Sequence, residues 1–267
     1  MITSATTWNL RGELPRLMRY YPVLSQVYQK AVVVLPPKVE QELVQAVESL
    51  DMIPVIPPDW SWGRFLALRK ALETGADLIH YVDLDRLLRW VETQEDEWRW
   101  SVGMLCQADC VCFGRTLAAY STHPRALVET EAISNRVISH LLGRRMDVSA
   151  GSKGFSRQAV EFLDAHTRPG ASMGMDAAWL VLLNRAGYRI KYVEVDGLDW
   201  ESADQFQTTA ANPDTQRRVA AEYDADPQHW EWRAKVADEV VETGLWAASQ
   251  PMEERWLHPS ANFKVED

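Results

Sequence analysis

Within the first ninety residues, short apolar runs alternate with amphipathic stretches, an order that few folds accommodate. "MITSATTW", "KAVVVLPP", "MIPVIPP" and "DLIHYVD" read as strands. Between them, "GELPRLMRYYPVLSQVY", "KVEQELVQAVESL" and "WGRFLALRKALETGA" carry the three-to-four spacing of helices. The first of these helices has its proline in the first turn, and the third ends at Gly75 as its C-cap. Strand-then-helix repetition predicts a parallel sheet covered by helices. "DCVCFGRT" predicts a fifth strand, reached through a helix around "WRWSVGMLCQA". A long helix ("PRALVETEAISNRVISHLLG"), a Gly/Ser-rich turn, the helices "RQAVEFLDAH" and "AAWLVLLNRAG" and the strand "YRIKYVEV" follow. The expectation is an α/β fold: one domain over residues 1–205 with a mostly parallel central sheet covered by helices. A polar, tryptophan-containing helical C-terminal extension, 206–267, packs on it.

Composition narrows the function. The 267 residues carry a net charge of -10, with Lys and Arg scattered rather than striped, which argues against a nucleic-acid partner. No stretch approaches the ~20 apolar residues of an integral membrane segment, and the N-terminus lacks a secretory pattern, so a cytoplasmic location is expected. The three cysteines, Cys106, Cys110 and Cys112, lack a nearby histidine and make a poor zinc site. Cys110 and Cys112 read instead as small apolar residues of a buried strand.

One motif carries chemistry. In "LIHYVDLDRLLRW" two carboxylates, Asp83 and Asp85, follow an apolar strand. In an extended chain, residues i and i+2 point the same way and can converge on one cation. The carboxyl ends of parallel strands are also where open α/β sheets bind ligands. Leu84, Leu87, Leu88 and Val91 then keep helical spacing, so one aspartate could serve simply as an N-cap. The tripeptide alone means little, because Asp224-Ala225-Asp226 repeats it in a polar stretch that reads as a helix-flanking turn. The strand-end position favours a metal site, with hard oxygen ligands suited to Mg²⁺ or Mn²⁺ bound together with phosphates.

Other nucleotide folds fit less well. "SATTWNLRGELP" lacks the Gly-x-Gly-x-x-Gly of a dinucleotide-binding dehydrogenase, and no P-loop is present. Phosphatases of the haloacid dehalogenase type follow their Asp-x-Asp with Gly and Thr, where this chain has Arg86 and Leu87. An ordered set of motifs resembles the family-2 glycosyltransferases of the glycosyltransferase A fold. "TTWN" is similar to the end of that family's first strand, with Thr6 and Asn9. "WGRFLALRKAL" resembles its Gly-Lys/Arg helix start, with Gly63 and Arg64, and "YVDLD" its Asp-x-Asp strand end. "ISNRVISHLLGRRMDVSAGSKGFSRQAVEFL" resembles the polyprenol-phosphate sugar transferases at Asn135, Asp147, Gly151, Phe155, Ser156 and Arg157, with Lys153 near the family's Arg.

That resemblance implies transfer of a sugar from a nucleotide diphospho-sugar donor, assisted by a Mn or Mg cation at Asp83 and Asp85. Thr6, Asn9, Gly63, Arg64, Asp83, Arg115 and Lys153 would contact the donor, and Arg157 is a further phosphate-clamp candidate. Asp176, at the start of "AAWLVLLN", would be the base that deprotonates the acceptor, or else only that helix's cap. Two departures shape the expectation. "VVVLPP" lacks the Asp that contacts the base, and acidic "DGLDWESAD" replaces the basic stretch of the lipid-phosphate enzymes. A soluble hydroxyl acceptor, a small molecule or glycan, is therefore expected. Trp60, Trp62, Trp200 and Trp230 are candidates for stacking on sugar faces, and His258 for a third metal ligand. The competing reading is a catalytically silent nucleotide-sugar-binding protein on the same fold.

Overall fold

The computed structural model describes residues 1–170, 172–253, 256 and 258. Its elements run β1 (Ile2–Thr7), α1 (Leu14–Leu24), β2 (Lys30–Val34), α2 (Gln41–Ser49), β3 (Ile53–Val55), α3 (Gly63–Glu73), β4 (Leu78–Val82) and α4 (Leu84–Thr93). Then come α5 (Glu95–Gly103), β5 (Cys110–Arg115), α6 (Leu117–Tyr120), α7 (Arg125–Leu142), β6 (Ser152–Ser156) and α8 (Arg157–His166). The chain closes with α9 (Met175–Arg185), β7 (Ile190–Val195), α10 (Pro213–Ala225) and α11 (Pro227–Ser249). All four expected β-then-α units form.

The seven strands lie in one sheet, ordered β3-β2-β1-β4-β6-β5-β7. Six run parallel. The exception is β6, which lies antiparallel between β4 and β5. Sequence reading takes this segment for a Gly/Ser-rich turn, because "SKGFS" has low intrinsic strand preference. Neighbours on both sides impose the extended form: His80 pairs with Gly154 on one side and Val111 with Gly154 on the other. Gly154 allows a close approach, since a Cβ there would sit 2.0 Å from Leu105 Cδ2.

Both faces of the sheet are covered. One core layer includes Val32, Ile79, Tyr81, Phe155, Trp179 and Leu180. The other holds Trp8, Val33, Val82, Leu87, Trp90, Trp98 and Phe113. Cys110 and Cys112 are free and buried, in the strand positions expected for small apolar residues. Within β4, His80 is buried between Tyr28, whose hydroxyl lies 2.7 Å from Nδ1, and Ser152, 2.9 Å from Nε2. Burial holds its pKa down at about 3, so the ring is neutral.

The C-terminal helices are integral to this packing. Val236, Val240 and Ala247 of α11 join the same core as Ile138 of α7 and the apolar face of α9. The second Asp-x-Asp is structural: Asp224 accepts from the amides of Arg125 and Ala126, and Asp226 caps α11 through Gln228 N. Where α11 crosses α7, Gly244 leaves room for Ile138, whose Cδ1 would lie 2.2 Å from an added Cβ. Gly244→Val is expected to destabilise the whole fold by about 1–3 kcal/mol through overpacking, measured by urea unfolding. A two-state curve shifted to lower denaturant with an unchanged slope is the expected result, whereas early melting of α11 alone would contradict a shared core.

Candidate active site

Several chain segments meet at the carboxyl end of β4. The loop after β1 supplies Thr7, Asn9 and Arg11, the start of α3 supplies Arg64, and the β4–α4 junction supplies Asp83, Asp85 and Arg86. Opposite them, the 3₁₀ turn after β7 contributes Glu201 and Ser202, and α11 contributes Trp232 and Arg233. The pocket they enclose has a volume of ≈ 170 Å³, with Trp60 and Met173 completing its wall. Glu13 fixes the first loop by accepting from Trp8 Nε1 at 2.9 Å and from Arg11 N at 2.7 Å.

The two aspartates do not form an extended i, i+2 pair. α4 begins at Leu84, so Asp83 occupies the N-cap position and Asp85 the first turn. The Asp83 side chain does not cap the helix. Its Oδ1 accepts from Tyr81 OH at 2.7 Å and Thr7 Oγ1 at 2.8 Å, and its Oδ2 from Arg64 Nη2 at 3.1 Å. Burial pushes the Asp83 carboxyl up, yet the charges of Arg64 and then Arg86 overcome that and leave it below its ordinary value. Asp83 is thus an anion held by Arg64, Tyr81 and Thr7.

Asp85 is in the opposite condition. It accepts from Arg86 N at 2.9 Å, and its carboxyl is pushed up to about 7 by burial, then by the nearby charges of Glu201 and Asp83. Glu201, buried in the pocket wall, has an Oε2 without a hydrogen-bond partner and lies 3.7 Å from Arg86 Nε. A carboxyl pushed up in part by a neighbouring carboxylate, beside that neighbour's orphaned oxygen, forms a donor set that a cation would relieve. Among the described residues no cluster of three or more His, Cys, Asp or Glu side chains is arranged to hold a metal. Two protein oxygens still fit Mg²⁺ or Mn²⁺, which draw their remaining ligands from substrate phosphates and water.

Behind Asp83 runs a buried ionic chain. Arg64 Nη2 reaches Asp83 at 3.1 Å and Asp176 at 3.5 Å, and Lys153 Nζ lies 2.6 Å from Asp176 Oδ1. Burial alone would pull the Arg64 guanidinium down, but Asp176 and Asp83 hold it well above its ordinary value. Asp176 therefore does not occupy the position expected of a base. It is buried as the counterion of Lys153 and Arg64, whereas a base needs an oxygen within reach of the acceptor hydroxyl. Gly151 passes directly beneath. A Cβ on it would lie 2.7 Å from Asp83 Oδ2, and its φ of 69° is left-handed, so both space and backbone require glycine there.

The remaining candidates divide between pocket and core. Asn9 and Arg64 line the pocket, and Gly63 packs near Thr7 Cγ2 at the head of α3. Thr6 points the other way, its hydroxyl donating to Val32 O at 3.1 Å, and Thr7 takes its place. Lys153 is fully buried, bound to Asp176 and Val148 O. Arg115 is locked onto Asp147 and Glu131 at 2.7 and 2.6 Å, outside the pocket. Arg157 donates to Leu72 O and Ala76 O at the opposite edge of the sheet. Its absence from the pocket corrects the phosphate-clamp expectation for that residue.

His258, a candidate third metal ligand, does not line the strand-end pocket. Its ring packs on Tyr188 and its amide donates to Ala186 O, away from β4's carboxyl end. Of the expected tryptophans only Trp60 lines the pocket; Trp200 is buried in the protein, and Trp230 Nε1 is bonded to Asp224 O. Glu201, Trp232 and Arg233 escape sequence reading. The one available signal is that Glu201 lies in the acidic stretch just past the last strand.

Comparisons with known proteins follow the fold. No protein-family profile and no curated protein sequence matches the chain. Among solved structures, M. tuberculosis glucosyl-3-phosphoglycerate synthase superposes with a TM-score of 0.57 at 16% identity, covering 94% of this chain and 82% of that one. The same enzyme in complex with Mn²⁺, uridine diphosphate and phosphoglyceric acid gives 0.55 at 15% identity, covering 94% and 80%. A structure described as a mycobacterial protein gives 0.58 at 17% identity, covering 94% and 76%. At these identities the likeness establishes the fold: the chain has the glycosyltransferase A architecture, a mixed, mostly parallel sheet with flanking helices.

The raised Asp85 carboxyl gives a pH signature. Its folded value of about 7 lies above the ~3.9 of an unfolded aspartate, so the folded chain holds the proton more tightly. Stability from this group is full below about pH 4 and is lost as pH rises through about 7. In metal-free buffer, Asp85→Asn should raise Tm at pH 8, and the gain should fade as pH falls toward 4. A gain independent of pH, or a loss at pH 8, would contradict the placement of Asp85 beside Glu201.

Proposed function

We propose that the protein is a metal-dependent glycosyltransferase that moves a sugar from a nucleotide diphospho-sugar to a hydroxyl-bearing small molecule or glycan. The observation that carries this reading is the composition of the strand-end pocket. Asp85 and Glu201 both offer carboxylate oxygens to it, while Arg11, Arg86 and Arg233 line the same space. Carboxylates for a cation beside cations for phosphate suit a metal-bound diphosphate and little else. Solved structures of the same architecture support it: M. tuberculosis glucosyl-3-phosphoglycerate synthase is known in complex with Mn²⁺, uridine-diphosphate-glucose and phosphoglyceric acid, and with Mg²⁺ and uridine diphosphate.

In this reading Asp85 and Glu201 hold the cation, and Asp83 orders the site through Arg64 rather than ligating freely. A bound Mn²⁺ or Mg²⁺ offsets the negative charge that develops on the departing nucleoside diphosphate. Asn9 and Arg11 at the end of β1 face the donor, and Arg86 and Arg233 balance its phosphates. Trp60 and Trp232, both on the pocket wall, present amphipathic rings suited to sugar faces on the acceptor side. Asp176 serves the reaction indirectly, by fixing Lys153 and Arg64. A phosphatase reading is disfavoured: a nucleophilic Asp83 would need a free oxygen, and both of its oxygens are engaged.

The test is thermal shift with nucleotide diphospho-sugars, with and without Mn²⁺, followed by an acceptor screen. A ligand bound to the native state raises Tm by mass action. Wild type should show a Mn²⁺-dependent rise that Asp85→Ala abolishes, and should transfer sugar to a soluble hydroxyl acceptor. Unchanged metal dependence in Asp85→Ala would overturn the site. Binding without transfer to any acceptor would instead support the binding-protein alternative.

A further inference from the structure

A second cavity, of ≈ 680 Å³, opens on another face of α7, bounded by the segment after that helix and by the edge strand β7. It exceeds the strand-end pocket and lies within the roughly 300–1,000 Å³ of small-molecule sites. Arg115, Arg136 and Arg145 line it, with Asn135, Tyr192 and Glu194.

Some exposed arginines elsewhere are paired locally, as in Arg125–Glu129, Arg217–Asp214 and Arg218–Glu222, while Arg19, Arg144 and Arg168 stand at scattered surface positions with no ion pair among the described residues. Arg136 and Arg145 are exposed, and among the described residues neither forms an ion pair. What sets Arg136 and Arg145 apart is that both line one cavity, which concentrates positive charge there in a chain of net charge -10. Arg115 adds a buried Nη1 that has no hydrogen-bond partner, although Asp147 and Glu131 neutralise its charge. Glu194, the opposing carboxylate, accepts from Tyr192 OH at 3.4 Å.

We propose that this cavity binds a small oligoanion, a phosphate ester or a polycarboxylate, with Arg136 and Arg145 as its charge-assisted donors. Hydrogen bonds link its wall to the loop beneath Asp83. Asn135 holds Asp147 through Nδ2 at 3.0 Å and accepts from Val148 N at 2.9 Å. A few residues on, Ala150 O accepts from Arg86 Nη1 at 2.6 Å and Gly151 O from Asp83 N at 3.3 Å. The Asn135–Asp147 motif thus ties the cavity to the loop beneath Asp83. The inference goes beyond sugar transfer, since it concerns binding alone.

Isothermal titration of tripolyphosphate and, separately, citrate into the full chain tests it, in EDTA at fixed ionic strength. Wild type, the double variant Arg136→Gln/Arg145→Gln and the strand-end control Arg233→Gln are compared, each checked for an unchanged Tm. At least one anion should bind wild type and Arg233→Gln alike, and bind the double variant about tenfold more weakly or worse. Tighter tripolyphosphate binding assigns a phosphate ester, and tighter citrate binding a polycarboxylate. Equal affinity in the double variant, loss only in Arg233→Gln, or no binding of either anion would overturn the proposal.

Discussion

Arg64 satisfies two carboxylates at once, and the arrangement of the pocket depends on it. Its guanidinium lies between Asp83 and Asp176, and Asp176 in turn neutralises the fully buried Lys153. Buried ions are tolerated only when paired, and removing one partner of such a pair costs about 3–5 kcal/mol. The chain alternates positive and negative from the centre of β6 to the tip of β4, so each charge is stable only because the next is present. The consequence reaches the pocket surface: with Asp83 claimed from behind, Asp85 and Glu201 are left facing each other across open space.

The fold was largely legible because it is written in periodicity. Val32, Val33 and Val34 form a continuous apolar run for a strand buried on both faces, and Leu84, Leu87, Leu88 and Val91 keep a helical stripe. β6 was not legible. Lys153 reads as a donor contact and Gly154 as part of a turn, yet pairing with β4 and β5 decides their conformation, and Asp176 compensates the lysine from a distant helix. That compensation has no local signature.

The site was legible in location and not in detail. The strand-end Asp-x-Asp lines the candidate pocket, but the alternation rule for strands fails where α4 starts one residue after Asp83. The same one-residue precision separates Thr6, which faces Val32, from Thr7, which faces Asp83. Arg115, Lys153 and Asp176 carry charges a reader assigns to ligands, whereas Lys153 and Asp176 neutralise each other and Arg115 is neutralised by Asp147 and Glu131. Glu201, Trp232 and Arg233 reach the pocket from segments more than a hundred residues downstream of Asp85, and only the three-dimensional path of the chain reveals them.

The central claim is that Arg64 retains Asp83 while a cation goes to Asp85 and Glu201. Anomalous diffraction at the manganese edge, from crystals soaked with Mn²⁺ and a nucleoside diphosphate, tests it most directly. The account predicts one strong anomalous peak within ligand distance of an Asp85 oxygen and a Glu201 oxygen, with the Arg64–Asp83 contact intact. A peak bound by Asp83 with Arg64 displaced, or no peak at the carboxyl end of β4, would contradict it.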